Sequence, residues 1–211
     1  MNTLGTGIVF VAGIHGNEKA PVDALSRLNV PFMMGNPQAL SKNVRYIDED
    51  LNRTFGKRGV TYERQRAKEL LEGISQDVYV VDLHTASTVS EPFAIITDSK
   101  IIPFASVVGI KKVILFPASS RFISNSLIHK RSGIVVECGN HTDDQGVYKV
   151  VHKVFRNCQR GRRHTIKVYE VVSRSKSPST RIDFRRTTNG LYPVLSGAKS
   201  HKGGYLARLI T

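Results

Sequence analysis

Short apolar runs alternate with segments of helical periodicity along most of this chain. Strands are predicted where apolar and β-branched residues follow one another, as in Thr6 to Ala12, Asp77 to His84 and Gly133 to Gly139. Helices are predicted where apolar residues recur at every third or fourth position, as in Glu18 to Leu28 and Asp144 to Gln159. Because strands that alternate with helices usually form largely parallel sheets, this pattern predicts an α/β fold.

The remaining pattern before residue 159 is less regular. Further strands are predicted at Val30 to Met34, Phe93 to Thr97 and Val113 to Phe116, and further helices at Thr61 to Ile74, Ile101 to Val108 and, ambiguously, Ser119 to Arg131. Asn36 to Gly59 is polar and is predicted to be a long irregular segment. Such a long loop in a compact domain is usually functional or disordered, and the apolar side chains of Tyr46, Leu51 and Phe55 favour an ordered one.

The pattern changes after residue 158. Strands without intervening helices are predicted at Thr165 to Val172, Thr180 to Phe184, Leu191 to Leu195 and Tyr205 to Ile210, with a hairpin-like loop from Ser173 to Ser179. We therefore predict an α/β domain over residues 1–158 and a small basic β domain over residues 159–211.

Charge and composition narrow the class of protein. The formal charge of the chain is +14, and residues 156–211 hold 13 Lys and Arg against 2 Asp and Glu. Such a field can attract nucleic acid, a membrane surface or small anions. No stretch approaches the about 20 apolar residues that span a bilayer, and no signal-peptide pattern precedes the first strand. With two cysteines, Cys138 and Cys158, these features predict a cytoplasmic protein that does not enter a membrane.

Candidate chemistry begins at the end of the first predicted strand, in Gly13-Ile14-His15-Gly16-Asn17-Glu18. Two residues separate His15 from Glu18, so one turn can aim an imidazole nitrogen and a carboxylate oxygen at the same point. A catalytic zinc binds such N and O ligands at about 2 Å and keeps one position open for water. Since His-x-x-Glu is also frequent by chance, a helix-capping loop with a solvated Glu18 is the alternative.

A third ligand is offered by His84, which ends a distant predicted strand. Ligands of open α/β sheets gather at the carboxyl ends of strands, so His15, Glu18 and His84 are candidates for one metal site. Asp50 and Asp82 are available to orient the imidazoles. The alternative is a core histidine satisfied by hydrogen bonds.

Further candidates are polar residues in otherwise apolar or looped surroundings. Glu137 ends an apolar strand, where an unpaired carboxylate is costly to bury; beside a metal it could move protons to and from water. Asn52 and Arg53 offer an amide and a guanidinium that can hold a carboxylate. A surface loop closed by its own salt bridges is the alternative for these two.

Six motifs in this order resemble the aspartoacylase and succinylglutamate desuccinylase family, which is itself similar to the zinc carboxypeptidases. They are His15-Gly-Asn-Glu18, Asn36-Pro37, Arg45-Tyr-Ile-Asp, Asp50-Leu-Asn52-Arg53-x-Phe55, Asp82-Leu-His84 and Glu137-x-Gly139, followed more weakly by Tyr192-Pro193-Val194. The resemblance implies a zinc-carboxypeptidase-like mixed sheet flanked by helices, with a small C-terminal all-β appendage.

The resemblance also implies a zinc-dependent amidohydrolase. One Zn²⁺ per chain would be held by His15, Glu18 and His84, with Glu137 as general base and then acid and with Arg45 polarising the scissile carbonyl. The implied reaction cleaves the amide of a small anionic N-acyl amino acid, such as N-acetylaspartate or N-succinylglutamate, to a carboxylic acid and the free amino acid.

Substrate recognition follows the family only in part. The resemblance assigns the α-carboxylate of the substrate to Asn52 and Arg53. The family's second substrate arginine, ten residues before the catalytic glutamate, is here Leu127, and His201 aligns with a substrate-contacting tyrosine. Three other basic residues could replace that arginine, although none is in register: Arg121, Lys130 and Arg131.

Two alternatives remain from the sequence. A metallocarboxypeptidase that trims short peptides would use the same metal and carboxylate clamp. A non-catalytic nucleic-acid-binding protein on this fold would account for the basic C-terminal region, but no aromatic RNA-binding motif accompanies the charge. The sequence leaves the oligomeric state and the acyl group open.

Overall fold

The computed structural model describes residues 7–87, 91–117, 124–175, 183–195 and 204–211. The strands in these ranges are β1 (Ile8–Ala12), β2 (Phe32–Met34), β3 (Tyr79–Ala86), β4 (Phe93–Ile96), β5 (Lys112–Leu115), β6 (Gly133–Asn140), β7 (Lys167–Arg174), β8 (Tyr192–Val194) and β9 (Tyr205–Leu209). The helices are α1 (Lys19–Arg27), α2 (Pro37–Lys42), α3 (Tyr62–Gly73), α4 (Ile102–Val108), α5 (Leu127–Lys130) and α6 (Asp144–Arg160). None of these helices is both long and apolar enough to cross a membrane.

One mixed sheet contains all of these strands, in the order β2-β1-β3-β6-β4-β5-β7-β9-β8. The neighbouring strands β2, β1, β3 and β6 run parallel, and β4 runs antiparallel to β6. Beyond β4, strands β5 and β7 are parallel to it, whereas β9 and β8 alternate in direction. The predicted mixed α/β fold is confirmed.

Helices cover both faces of the sheet because successive strand residues point to opposite sides. Phe10 of β1 packs in one buried cluster with Leu25 of α1 and Val151 of α6. Its neighbour Val11 packs on the other face with Leu70 of α3. The same alternation buries apolar side chains of β3 and β6 beneath α1 and α6, which leaves the α3 face for their polar residues.

The polar residues of β3 and β6 therefore share one face near the carboxyl ends of parallel strands. Val81 and Leu83 pack toward α1 and α6, so Asp82 and His84 point toward the α3 side. Glu137 of β6 is the register partner of His84. Both strands continue past these residues, to Ala86 and Asn140, so the predicted strand ends were placed too early.

The C-terminal strands extend the main sheet, because β7 pairs in parallel with β5. The division into domains at residues 158 and 159 stays a prediction. The predicted strand Thr180 to Phe184 is wrong in its described part, since Asp183 and Phe184 lie in a turn. Phe184 is half-buried and makes ring contacts instead, with its centroid 5.0 Å from that of Tyr169 and 5.9 Å from that of Phe93.

The prediction that residues 36–59 are irregular throughout is also wrong, because α2 begins at Pro37. Asn36 caps this helix by accepting a hydrogen bond from the Ala39 amide at 3.0 Å, and proline suits the first helical position. A 3-10 turn follows at Leu51–Arg53. In the ambiguous Ser119 to Arg131 segment, residues 119–123 lie outside the described ranges and the helix is confined to α5.

The turn that carries His15 lies directly against α2. The Gly16 amide donates to the Arg45 carbonyl at 3.2 Å. A Cβ atom at Gly16 would lie only 2.0 Å from the carbonyl carbon of Ala39, so the two backbones meet where no side chain fits. Gly16 is therefore required by a close approach of the backbone.

We predict that Gly16→Ala lowers the free energy of unfolding by about 3 kcal/mol or more, because backbone rather than a flexible side chain must move. Urea denaturation measures this change. Gly73→Ala is the control, since its Cβ would meet only the mobile end of Met33, and it should change stability by less than about 1 kcal/mol. Equal effects of the two substitutions would contradict the packing of the turn on α2.

Candidate active site

Three buried side chains from two strand ends meet on the α3 face of the sheet. His15 Nδ1 lies 2.7 Å from Glu18 Oε1, and His84 Nδ1 lies 3.1 Å from Glu18 Oε2. One potential ligand atom from each residue lies within 4.8 Å of the others. The structure thus brings together the three residues that the sequence nominates as metal ligands.

The turn after β1 explains why His15 and Glu18 converge. The Glu18 amide donates to the His15 carbonyl at 3.1 Å, which closes a tight turn before α1 begins. Gly13 supports this turn with φ of 73°, a left-handed conformation that glycine adopts without strain. Glu18 also accepts a hydrogen bond from the Thr85 amide of β3 at 2.9 Å, so the carboxylate joins β1 to β3.

Each imidazole has a second carboxylate behind it. His15 Nε2 lies 3.1 Å from Asp50 Oδ1, and His84 Nε2 lies 3.1 Å from Asp82 Oδ2. Among the described residues, the oxygens of fully buried Asp82 and the Nε2 atom of His84 make no hydrogen bond of good geometry, so they face each other as a close ion pair. Both rings therefore present Nδ1 to Glu18 and Nε2 to an aspartate, which is the usual surrounding of a metal-binding histidine.

The pKa values show that this cluster favours positive charge. Burial disfavours charge on His84, but Asp82 and Glu18 outweigh it and hold its pKa well above the usual value. Burial likewise opposes charge on His15, yet Glu18 and Asp50 raise its pKa. Glu18 itself has a pKa well below its usual value despite burial, because both imidazoles favour its anionic form. A cation is therefore stabilised at the point where the three side chains meet.

Glu137 lies beside this point and is held differently. Burial raises the pKa of its carboxyl group to about 7, with a smaller contribution from Glu18, while His84 opposes the shift. Its Oε2 atom is buried without a hydrogen-bond partner among the described residues. A carboxyl group with a pKa near neutrality can both accept and release a proton.

Arg45 reaches the cluster from the segment after α2. Its Nη2 atom donates to Asp50 Oδ2 at 2.9 Å, and its Nη1 atom lies 3.9 Å from Glu18 Oε1. Although burial opposes it, the pKa of Asp50 is held far below its usual value, chiefly by His15 and then by Arg45. The side chain of Arg45 is 37% exposed, so it contacts both the cluster and solvent.

Asn52 and Arg53 follow directly in the 3-10 turn. The backbone amide of Asn52 donates to Asp50 Oδ1 at 3.0 Å. The side-chain Oδ1 atom of Asn52 is buried without a hydrogen-bond partner among the described residues. Arg53 donates to the Asn52 carbonyl at 2.9 Å. Burial lowers the pKa of Arg53, while the neighbouring Asp50 carboxylate favours its charged form and Arg45 opposes it.

The position of the family's second arginine is apolar and internal here. Leu127 is fully buried and packs with Leu51 and Phe55, so it does not line the site. Arg131 points away from it and donates to the carbonyls of Leu71 and Ile74 at 2.5 and 3.0 Å.

Three other candidate substrate residues have no established place in the site. The Lys130 side chain lies over Gly56. His201 and Arg121 fall outside the described residues.

Thr85 and His141 are site residues that sequence reasoning missed. Between His84 and Ala86 the register of β3 against β6 shifts, and β6 accommodates this irregularity at Gly139, whose φ is 127°. The shift leaves the Thr85 hydroxyl 2.7 Å from His141 Nδ1. The Glu137-x-Gly139 spacing is the sequence signal that could have indicated this irregular edge.

Comparisons with known proteins agree with this geometry. The profile of the succinylglutamate desuccinylase/aspartoacylase catalytic domain matches residues 5–104, which include the three candidate ligands. The chain is 37% identical to the succinylglutamate desuccinylase of Pseudomonas paraeruginosa over 106 residues, which is 39% of this chain and 32% of that protein. The match therefore spans about a third of the relative's length.

Two solved structures share the fold over nearly the whole chain. The succinylglutamate desuccinylase of Chromobacterium violaceum superposes with a TM-score of 0.68 at 17% identity, over 97% of this chain and 84% of that one. Murine aminoacylase 3 superposes with a TM-score of 0.67 at 19% identity, over 96% and 95%. Over residues 5–104 the chain is thus similar to the succinylglutamate desuccinylase/aspartoacylase family, and it shares the fold of these two proteins over nearly its whole length.

Proposed function

We propose that this protein is a zinc-dependent deacylase that hydrolyses the amide bond of a small anionic N-acyl amino acid. The observation that supports it most directly is the convergence of His15, Glu18 and His84 on one point, with Glu137 beside them. Similarity over residues 5–104 to the succinylglutamate desuccinylase/aspartoacylase catalytic domain supports the substrate class.

The donor set fits zinc. Two imidazole nitrogens and one carboxylate are the ligands of many catalytic zinc sites. The aspartates lie at the Nε2 side of each ring, where they orient the imidazole and raise its basicity as a ligand. A zinc ion held there would supply a Lewis acid that polarises a carbonyl and lowers the pKa of water to about 7.

Glu137 moves the protons in the proposed reaction. Its buried carboxyl group takes a proton from the attacking water and passes it to the nitrogen of the departing amino acid. The partner-free Oε2 atom leaves room for this exchange without breaking a hydrogen bond of the folded protein. The products are a carboxylic acid and the free amino acid.

Arginine side chains at the edge of the cluster bind the anionic substrate. Arg45 is already close to Glu18 and partly exposed, so it can donate to the carbonyl oxygen on which negative charge develops. Asn52 and Arg53 hold the α-carboxylate through charge-assisted hydrogen bonds. His201 remains a proposed substrate residue on sequence grounds alone.

We predict that Asp82→Asn weakens zinc affinity about 10- to 100-fold, because the neutral amide no longer attracts the Nε2 side of His84. Competition with a fluorescent chelator measures the affinity. Asp77→Asn, at an exposed position just before β3, is the control and should bind zinc as the wild type does. If both variants bind zinc equally well, His84 is not held as a ligand by Asp82.

We predict that Glu137→Gln retains about one zinc per chain and loses deacylation by at least about 100-fold, because an amide cannot accept the proton of water. Metal content and the release of free amino acid from N-acetyl and N-succinyl amino acids measure the two effects. Glu72→Gln, on the surface of α3, should remain fully active.

Other outcomes of the same experiment select against the proposal. Loss of zinc from Glu137→Gln would indicate that Glu137 is itself a metal ligand. Release of C-terminal residues from short peptides without deacylation would favour the carboxypeptidase. If the wild type is inactive and binds nucleic acid in a way that depends on salt but not on zinc, a non-catalytic nucleic-acid-binding role is favoured.

A further inference from the structure

The segment that carries Arg45 and Asp50 has little regular structure of its own, yet both residues must be placed accurately. Between the end of α2 and the 3-10 turn, residues 43–50 form no helix or strand. Apart from backbone hydrogen bonds such as that from the Gly16 amide to the Arg45 carbonyl, this segment is held in place mainly by hydrogen bonds that involve side chains. The largest contribution comes from Glu63, in the first turn of α3.

Glu63 is a fully buried carboxylate that accepts four hydrogen bonds. Its Oε1 atom accepts from the side-chain amide of Asn36 at 3.0 Å and from the backbone amide of Ile47 at 2.7 Å. Its Oε2 atom accepts from the amides of Asp48 and Glu49 at 3.0 and 3.3 Å. One side chain thus ties three consecutive backbone amides to α3 and to the N-cap of α2.

Reciprocal contacts from α3 strengthen this attachment. Asp48 accepts from the backbone amide of Tyr62 at 2.8 Å, near the positive end of the helix. Glu49 accepts from the Thr61 hydroxyl at 2.7 Å and from Arg64 Nε at 2.6 Å. These pairs lie nearer the surface than Glu63 and add less, because solvent screens them.

The anchored amides stand between the two residues that contact the metal ligands. Arg45 precedes them and reaches Glu18, while Asp50 follows them and reaches His15. We propose that Glu63 is a positioning residue, which holds Arg45 and Asp50 against the ligand pair through the amides of residues 47–49. This inference rests on the proposed function for its catalytic consequence. Misplacement of a catalytic group by about 1 Å can cost roughly 100-fold in rate.

Only a carboxylate satisfies this arrangement. Each oxygen of Glu63 already accepts two N–H donors. In Glu63→Gln, either orientation of the amide turns its NH₂ group toward two other donors. Asn36 cannot rotate to compensate, because its own oxygen caps α2 through Ala39. The variant must release at least one end of the 47–49 segment.

A double-mutant cycle with Arg45→Ala tests the proposal, with hydrogen exchange and zinc affinity as readouts that need no turnover. Glu63→Gln should lower kcat/KM about 100-fold, speed amide exchange of residues 45–50 and weaken zinc binding about 10-fold through Asp50. At saturating zinc, the further change Glu63→Gln in Arg45→Ala should cost less than about 3-fold in kcat/KM, because the part of its effect that does not depend on zinc affinity passes through Arg45. Glu72→Gln, also on α3, should leave every readout unchanged.

A general loss of stability predicts other results. The positioning role is overturned if the losses in kcat/KM caused by Glu63→Gln and Arg45→Ala multiply in the double variant. It is also overturned if amide exchange of residues 45–50 stays slow in Glu63→Gln. If Glu63→Gln does not fold, Glu63→Asp enters the same cycle, since it keeps the charge and loses the reach. If the wild type shows no deacylation, the proposed function fails, while exchange and zinc affinity still decide whether Glu63 positions the segment.

Discussion

The central constraint on this structure is the burial of Glu18 between two imidazoles. A carboxylate removed from water is stable only if it is paired and hydrogen-bonded, and Glu18 has His15 on one oxygen and both His84 and the Thr85 amide on the other. The imidazoles in turn need carboxylates behind them, which Asp50 and Asp82 supply. A chain of alternating charges therefore runs through the interior, and a divalent cation can replace protons within it without leaving a buried charge unpaired.

Backbone packing holds these charged side chains in their relative positions. The turn that carries His15 has no room for a side chain at Gly16, because the backbone of α2 lies against it. On the other side, β3 and β6 are hydrogen-bonded neighbours, so His84 and Glu137 are fixed by the sheet itself. Arg45 and Asp50 instead depend on an irregular segment, where the buried carboxylate of Glu63 binds the backbone amides that regular structure would otherwise pair. The candidate site groups on strands and those on this segment are thus held by different physical means.

The fold and the candidate ligands could be predicted because they depend on local patterns. Buried strands show as apolar runs, and His15 and Glu18 are spaced for a single turn. Whatever depended on distant contacts was missed. Glu63 pairs with remote backbone amides, and the Thr85 amide pairs with the carboxylate of Glu18, which is remote in sequence. The helix α2 is missed because Asn36-Pro37 signals both a break and a helix start. The turn at Phe184 reflects ring packing that no short pattern contains.

The position of the metal tests most directly whether His15, Glu18 and His84 form a zinc site. A crystal structure of the zinc-loaded protein, with anomalous maps recorded on either side of the zinc absorption edge, would locate it without reference to activity. If the proposed site is correct, one strong peak per chain will lie about 2 Å from His15 Nδ1, His84 Nδ1 and a carboxylate oxygen of Glu18. A peak bound elsewhere, or none in crystals grown with saturating zinc, would contradict it.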